Sequence, residues 1–302
     1  DVTIEEVTVN LTVEAKDLQN GAVTLANGTK ITLTGKIKNY EYEVGAATPL
    51  TKMYAGEYKV SLYGYGDATV TIAAGDNTIT LKQIAGYATG SASISADGKT
   101  VTIGAGTTNP TGAYEGSVLL TQTFAKNSSI TMTVKMSEVK TDGLNAWQRC
   151  LIQVTENGKG VFMWLKEGAA NVREIKSLTT PSTEGNHVAT GWNENAYGWL
   201  YTQATGEGLK LQIVRIGATI TVNAYNGSEW VKLGEVSCEE NDEPKLGLYG
   251  VTCKWEFSEI TTGTLTHKEA VEPTEANGYT GNAEYYTDGT NYYLPSGAVT
   301  SL

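Results

Sequence analysis

The chain has 302 residues, 40% of them hydrophobic, and a net charge of -11, which is enough material for two domains with cores of their own. The acidic balance provides no basic footprint for nucleic acid and no attraction to anionic lipid. No apolar run approaches the roughly 20 residues of a membrane span. Pro is scarce at 6, while Gly at 34 and Tyr at 17 are plentiful, a balance that favours strands and tight turns over helices. The first residue is Asp1, which suits a processed or excised segment whose leader is out of view. Cys150, Cys238 and Cys253 are the three cysteines. An odd number argues against a disulfide framework, and each falls inside an apolar strand, as a small core residue does.

In chain order, residues 1–84 form a first unit. Val2, Ile4, Val7, Val9, Leu11 and Val13 recur in an extended pattern, and Lys30–Thr34, Tyr40–Val44, Gly56–Tyr65, Ala68–Ile72 and Thr78–Lys82 read as further strands. Turns come every eight to twelve residues, at Ala26-Asn27-Gly28 and Ala74-Gly75-Asp76-Asn77 among others, as in a β-sandwich. The series Y-A-G-E-Y-K-V-S-L-Y-G-Y-G, followed by A-T-V-T-I-A-A-G-D-N-T-I-T-L, within Lys52–Leu81, resembles carboxypeptidase-regulatory or prealbumin-like modules. The resemblance implies a small Ig/prealbumin-like sandwich that accompanies other domains on secreted proteins.

Residues 85–265 form a larger unit. Strands are expected at Ala92–Ser95, Thr100–Ile103, Ser117–Phe124, Ser129–Val139, Ala146–Val154 and Gly160–Lys166, with a long polar loop over Thr179–Asn195 and a strand restarting at Trp199–Ala204. From Gly208 the pattern is clearest. Leu209, Leu211 and Ile213 alternate with polar residues, Gly217 breaks the run, Thr219–Tyr225 alternates again, and Asn226-Gly227 turns the chain into Trp230–Val236. Alternation on both sides of Asn-Gly is a hairpin signal, and such a meander must pack one face on a second sheet. The order K-L-x-I-V-R-x-G, Asn-Gly, K-L-G-L-Y-G and W-x-F-S-E-I over Lys210–Ile260 resembles the last strands of concanavalin A-like and laminin-G-like jelly rolls. That resemblance implies an all-β two-sheet sandwich with a curved face that often holds saccharides, and it does not imply catalysis. Residues 266–302 read as a linker and a hairpin at 282–294, either docked on the sandwich or opening a further module.

The chain contains no G-x-x-x-x-G-K-[ST], G-x-S-x-G, C-x-x-C or H-E-x-x-H motif, and its histidines are His187 and His267 alone. A His-based zinc site or a Ser-His-Asp triad has little to build on. Sugar hydrolysis needs two flanking carboxyl groups. Laminarinases of concanavalin-like fold carry E-x-D-x-x-E on one strand, whereas here Glu240-Asn241-Asp242 is followed by Pro244 and Lys245. The cluster Glu239–Glu243 is more simply a solvated loop. Its hard oxygens make Glu240 and Asp242 the candidate metal ligands, and Ca2+ the one cofactor worth considering.

Aromatic residues point further. Sugars present flat C–H faces and hydroxyl edges, so a binding site needs exposed Trp or Tyr beside amides and charged groups. Parity in Trp147–Val154 sends Cys150, Ile152 and Val154 inward and leaves Trp147, Arg149 and Gln153 on the other face. The stretch Gly191–Trp199 supplies Trp192, Asn193, Tyr197 and Trp199 as one rim of a cleft, with Arg173 and Asn223 as further candidates. Trp164, Trp230 and Trp255 lie among apolar neighbours and are expected in the core. The tyrosines of the first unit offer a second sticky surface or simply stabilise their sheets.

These observations favour non-catalytic binding of a glycan or polysaccharide by a secreted or cell-surface protein of bacterial type. It would be a monomer within a larger multidomain chain, without nucleic-acid partners or membrane insertion. A structural or adhesive spacer, and a hydrolase or lyase of concanavalin-like fold, are the alternatives.

Overall fold

The computed structural model describes residues 5–104, 115–139, 147–154, 159–175, 187–188, 197–269, 284–297 and 299–300, in two compact units, Asp1–Ala85 and Gly86–Leu302. The first unit contains β1 (Glu6–Lys16), β2 (Ala22–Val23), β3 (Lys30–Gly35), β4 (Tyr40–Glu43), β5 (Lys52–Tyr54), β6 (Gly56–Ser61), β7 (Ala68–Ile72) and β8 (Gly75–Lys82). One sheet has the order β2-β1-β5 with β8 also on β1, and the other is β4-β3-β6-β7. Strict alternation buries Ile31 and Leu33 from one sheet against Ile79 and Leu81 from the other. Tyr40 and Tyr58 belong to this core, edge to face at 5.9 Å. The Tyr40 hydroxyl donates to Glu6 at 2.7 Å. These two tyrosines are structural, not part of a sticky surface.

The second unit begins with β9 (Gly86–Gly90), β10 (Ala92–Ile94), β11 (Val101–Ile103), β12 (Glu115–Thr123), β13 (Ser128–Ser137), β14 (Gln148–Gln153), β15 (Gly160–Lys166), β16 (Ala169–Ile175) and β17 (His187–Val188). After α1 (Gly198–Thr205) come β18 (Leu209–Ile216), β19 (Thr219–Tyr225), β20 (Trp230–Ser237), β21 (Lys245–Val251), β22 (Lys254–Thr264), β23 (Thr266–Lys268), β24 (Tyr285–Thr287), β25 (Tyr292–Tyr293) and β26 (Val299–Thr300). Two seven-stranded sheets, β10-β11-β22-β13-β18-β19-β20 and β17-β16-β15-β14-β21-β12-β9, share one core. Leu211, Ile213, Val222 and Trp255 from the first sheet meet Cys150, Ile152, Met163 and Leu248 from the second. The unit is a jelly-roll sandwich of the all-β class, as the alternating pattern requires. The expected meander is present: β18 pairs with β19 and β19 with β20. Gly217 turns the first connection at φ +58°, and the Asn226 side chain accepts the Ser228 and Glu229 N–H groups at 2.9 Å in the second.

Several expectations need correction. Trp199–Ala204 lies in helix α1, not in a strand. Leu200 and Ala204 are buried while Thr202, between them, is exposed; strand parity would bury all three, whereas a helical i, i+4 spacing buries two. Trp164 leaves the main core, because Val161, Met163 and Leu165 take the inward positions of β15. Trp230 is half-buried against Tyr225, ring centroids 5.4 Å apart. Cys238 lies just past the end of β20 and Cys253 in the turn between β21 and β22, not inside strands; all three cysteines are free, in line with the expectation of no disulfide framework. His187–Val188, inside the expected loop, pairs with β16. Among the described residues, no helix is long and apolar enough to cross a membrane.

The C-terminal hairpin is docked on the sandwich. β23, β24, β25 and β26 form a small sheet of their own, so Thr266–Lys268, expected in a linker, is a strand. Tyr293 is fully buried and clusters with Val214, Ile216 and Leu265. Its hydroxyl donates to Asp288 at 2.7 Å and accepts the Gln212 amide at 2.5 Å. Nearby, Thr221 donates to the Ser296 carbonyl and Asn223 to the Gly297 carbonyl. This cover explains why Gln212, Thr221 and Asn223, on the outer face of β18 and β19, are 0–1% exposed. It also removes Asn223 from the candidate ligand-binding set.

Burial pushes the Asp288 carboxyl up, but the Asn291 N–H, the Tyr293 hydroxyl and the Thr290 N–H outweigh it and hold the group below the usual carboxylate range. A carboxyl depressed in the folded state adds stability that is fully present above its unfolded value and disappears as pH falls through the folded one. Thermal unfolding between pH 7 and pH 2 should therefore show an acid decline that Asp288→Asn weakens, with stability at pH 7 lower by about 1–2 kcal/mol.

Candidate functional site

The outer face of the β14 sheet collects most of the described candidates. Along β14, Gln148, Cys150 and Ile152 are fully buried, which turns Trp147, Arg149, Leu151 and Gln153 to the other side. Trp147, Arg149 and Gln153 are half-buried there. Cross-strand register sets Arg149 beside Trp164 on β15 and Trp164 beside Asn171 on β16. The next row sets Leu151 beside Phe162, and Phe162 beside Arg173.

Two rings on this face carry cations. The Lys166 ammonium lies 4.3 Å from the Trp147 ring centre, and the Arg173 guanidinium 4.3 Å from that of Trp164. Each such contact contributes on the order of 0.5–1 kcal/mol at a partly exposed site. It also occupies one face of each ring. Trp164 packs edge-on against Phe162 at 5.4 Å. Below these rings lies a satellite apolar cluster of Leu151, Phe162, Ile175 and Tyr249. Burial, then the neighbouring Glu115 carboxylate, push the Tyr249 phenol up, so it stays protonated and donates to Glu115 at 3.1 Å. The Arg149 charge acts on Tyr249 in the opposite sense, and register sets Arg149 beside Val251, two residues from Tyr249 on β21.

Asn171 is the unusual member. It is 2% exposed, and neither the oxygen nor the nitrogen of its amide has a hydrogen-bond partner. A buried, unpaired amide costs about 1–3 kcal/mol and calls for an explanation such as a ligand hydroxyl or an ordered water.

The remaining candidates lie elsewhere. Trp192 and Asn193 lie outside the described residues. Tyr197 and Trp199, at the start of α1, pack against the main core. Gly198 approaches the Gly168 carbonyl in the β15–β16 turn, so α1 begins at the Lys166 end of the same sheet. Glu240 forms an ion pair with Lys126, and Asp242 accepts the Glu239 N–H at 2.9 Å. Among the described residues, no three His, Cys, Asp or Glu side chains are grouped to hold a metal ion.

No family model and no curated protein sequence matches the chain. Solved structures similar to it include the exoplasmic/lumenal domain of VIP36 in its Ca2+/Man3GlcNAc-bound form, at 13% identity over 64% of this chain and 87% of that one, with a TM-score of 0.39. A carbohydrate-binding module, CBM66 from Bacillus subtilis, aligns at 10% identity over 59% of this chain and 95% of its own, with a TM-score of 0.34. A legume lectin-like domain from Entamoeba histolytica aligns at 10% identity over 59% and 89%, with a TM-score of 0.36.

Sequence reasoning assigned Trp164 to the core and passed over Asn171. The signal for both was parity along β15 and β16, where Val161, Met163, Leu165, Ala170 and Val172 form the inward series. Asn171→Leu should raise stability by about 1 kcal/mol in denaturant unfolding, because it removes the unpaired amide at similar volume. If that amide serves a ligand, the same variant loses binding.

Proposed function

We propose that this chain binds a glycan or polysaccharide, without catalysis, on the outer face of the β14 sheet. The observation that carries the reading is the row Arg149–Trp164–Asn171. It combines a guanidinium, an indole and an unpaired buried amide across three neighbouring strands. The indole offers a stacking surface for the C–H face of a sugar and the guanidinium hydrogen bonds to its hydroxyls; the amide, buried beside them, serves a hydroxyl once the side chains that cover it turn aside. Trp147 and Gln153 extend the row along β14. Trp192, Asn193, Tyr197 and Trp199 are proposed to supply the rim. Among the described residues on this face, Glu115 is the one carboxylate, and it is engaged by Tyr249; hydrolysis by a carboxyl pair therefore draws no support from the face. The setting that suits such a ligand is secreted or cell-surface, as one monomeric part of a larger chain. The Cys150 and Cys253 thiols are buried in the core and pushed up by that burial, so they are poorly reactive in an oxidising environment.

One observation favours a spacer instead. Leu151, Phe162, Ile175 and Tyr249 already fill part of the face. Affinity electrophoresis in gels containing a panel of soluble polysaccharides separates the two readings. Binding predicts retardation that weakens about tenfold, or about 1.4 kcal/mol, in Trp164→Ala and in Trp147→Ala. Absence of retardation across the panel, or unchanged retardation in both variants, supports the spacer.

A further inference from the structure

The opposite sheet carries a pocket that the first reading does not use. The C-terminal hairpin covers Gln212 and Asn223, but two residues earlier on β18 the outer face is open, and Lys210 is exposed. Here lies a cavity of about 510 Å³, within the range of small-molecule sites. Its floor is the cross-strand row Ser258–Thr133–Lys210. Gly208, at φ +120°, allows the chain leaving α1 to lie against this floor, since a Cβ there would come within 2.4 Å of Thr133. The half-buried Tyr225, backed by Trp230, supplies an aromatic wall.

A bulge brings the acid. Between Thr131 and Thr133 the partner strand β22 holds one residue too many. Glu259 adopts φ +55°, an uncommon conformation for a residue with a side chain. Phe257 and Ile260 both stay buried, while Ser258 and Glu259, adjacent in sequence, both line the cavity. Thr133 donates to one Glu259 oxygen at 2.8 Å. Lys135 and Glu207 complete the charged lining.

Two ammonium groups and two carboxylates balance. An anionic ligand would meet Glu207 and Glu259, and a cationic one would meet Lys135 and Lys210. A neutral molecule rich in hydroxyls suits both, since each hydroxyl can donate to a carboxylate and accept from an ammonium, while a ring C–H face lies on Tyr225. We infer that this pocket is a second saccharide site, selective for neutral sugars, on the sheet opposite the first. It stands independently of the β14 face. If both sites bind, the chain is bivalent, and its avidity for a polymer exceeds that of either site.

Calorimetric titration of the whole chain tests this. Cellohexaose, xylohexaose and mannohexaose are the neutral probes, and oligomers of galacturonate and of glucosamine are the acidic and basic arms. A neutral probe should bind the Trp147→Ala, Trp164→Ala double variant at one site, and Lys210→Ala or Tyr225→Ala in that background should weaken it by about tenfold or more. Glu259→Gly should also weaken it without lowering the unfolding temperature, because glycine suits the left-handed backbone there. The inference is overturned if no neutral probe binds the double variant, if a charged oligomer binds it in preference, or if Lys210→Ala and Tyr225→Ala bind as their parent does. Failure of the β14-face reading looks different: the two Trp substitutions would then leave wild-type stoichiometry and affinity unchanged.

Discussion

Burial of alternate side chains between the two seven-stranded sheets of the second unit sets the direction of everything else. Leu211, Ile213 and Val222 on one sheet and Cys150, Ile152 and Met163 on the other are all 0% exposed. A one-residue slip in any of these strands would expose its buried set and bring the outer set into the core. The two outer faces keep their residue sets because the inner positions are filled. Arg149, Trp164 and Asn171 line up across three strands only while their neighbours Cys150, Met163 and Val172 are held inside.

The two outer faces have different fates. On the β18–β19 side the chain returns and covers its own sheet, with Tyr293 as the anchor and the Gln212–Tyr293–Asp288 hydrogen bonds pairing the Gln212 Nε2, the Tyr293 hydroxyl and the Asp288 carboxylate, while the Gln212 Oε1 stays unpaired. On the β14 side, a small apolar cluster supports two indoles, each with a cation on its face, and one amide remains unpaired. A face built only for stability would place an apolar residue where Asn171 stands. The unpaired Asn171 amide is the local inconsistency on which the binding proposal rests.

Period-2 alternation made the architecture legible. The Asn226-Gly227 hairpin, the inward series of β14 and the two-sheet organisation all follow from residue types at spacing two. The failures have particular causes. In Trp199–Ala204 the apolar residues fit a strand and a helix alike, and only the exposure of Thr202 separates them. Trp164 has apolar neighbours on both sides, so hydrophobicity alone could not show which face of β15 it occupies. The pocket near Lys210 draws on α1, β13, β18, the Tyr225–Gly227 turn and a bulge in β22, a set with no contiguous signature.

The order of residues along the chain was sufficient for most of the strands, for the parity of β14 and for the acidic, helix-poor character of the whole, because these depend on neighbours within a few positions. Which faces stay open is a different kind of property. It arises when the segment after Thr264 folds back onto β18 and β19, and when register brings Arg149, Trp164 and Asn171 side by side from three strands. Those contacts join residues far apart in the chain, and their free energy comes from area that no local stretch buries alone.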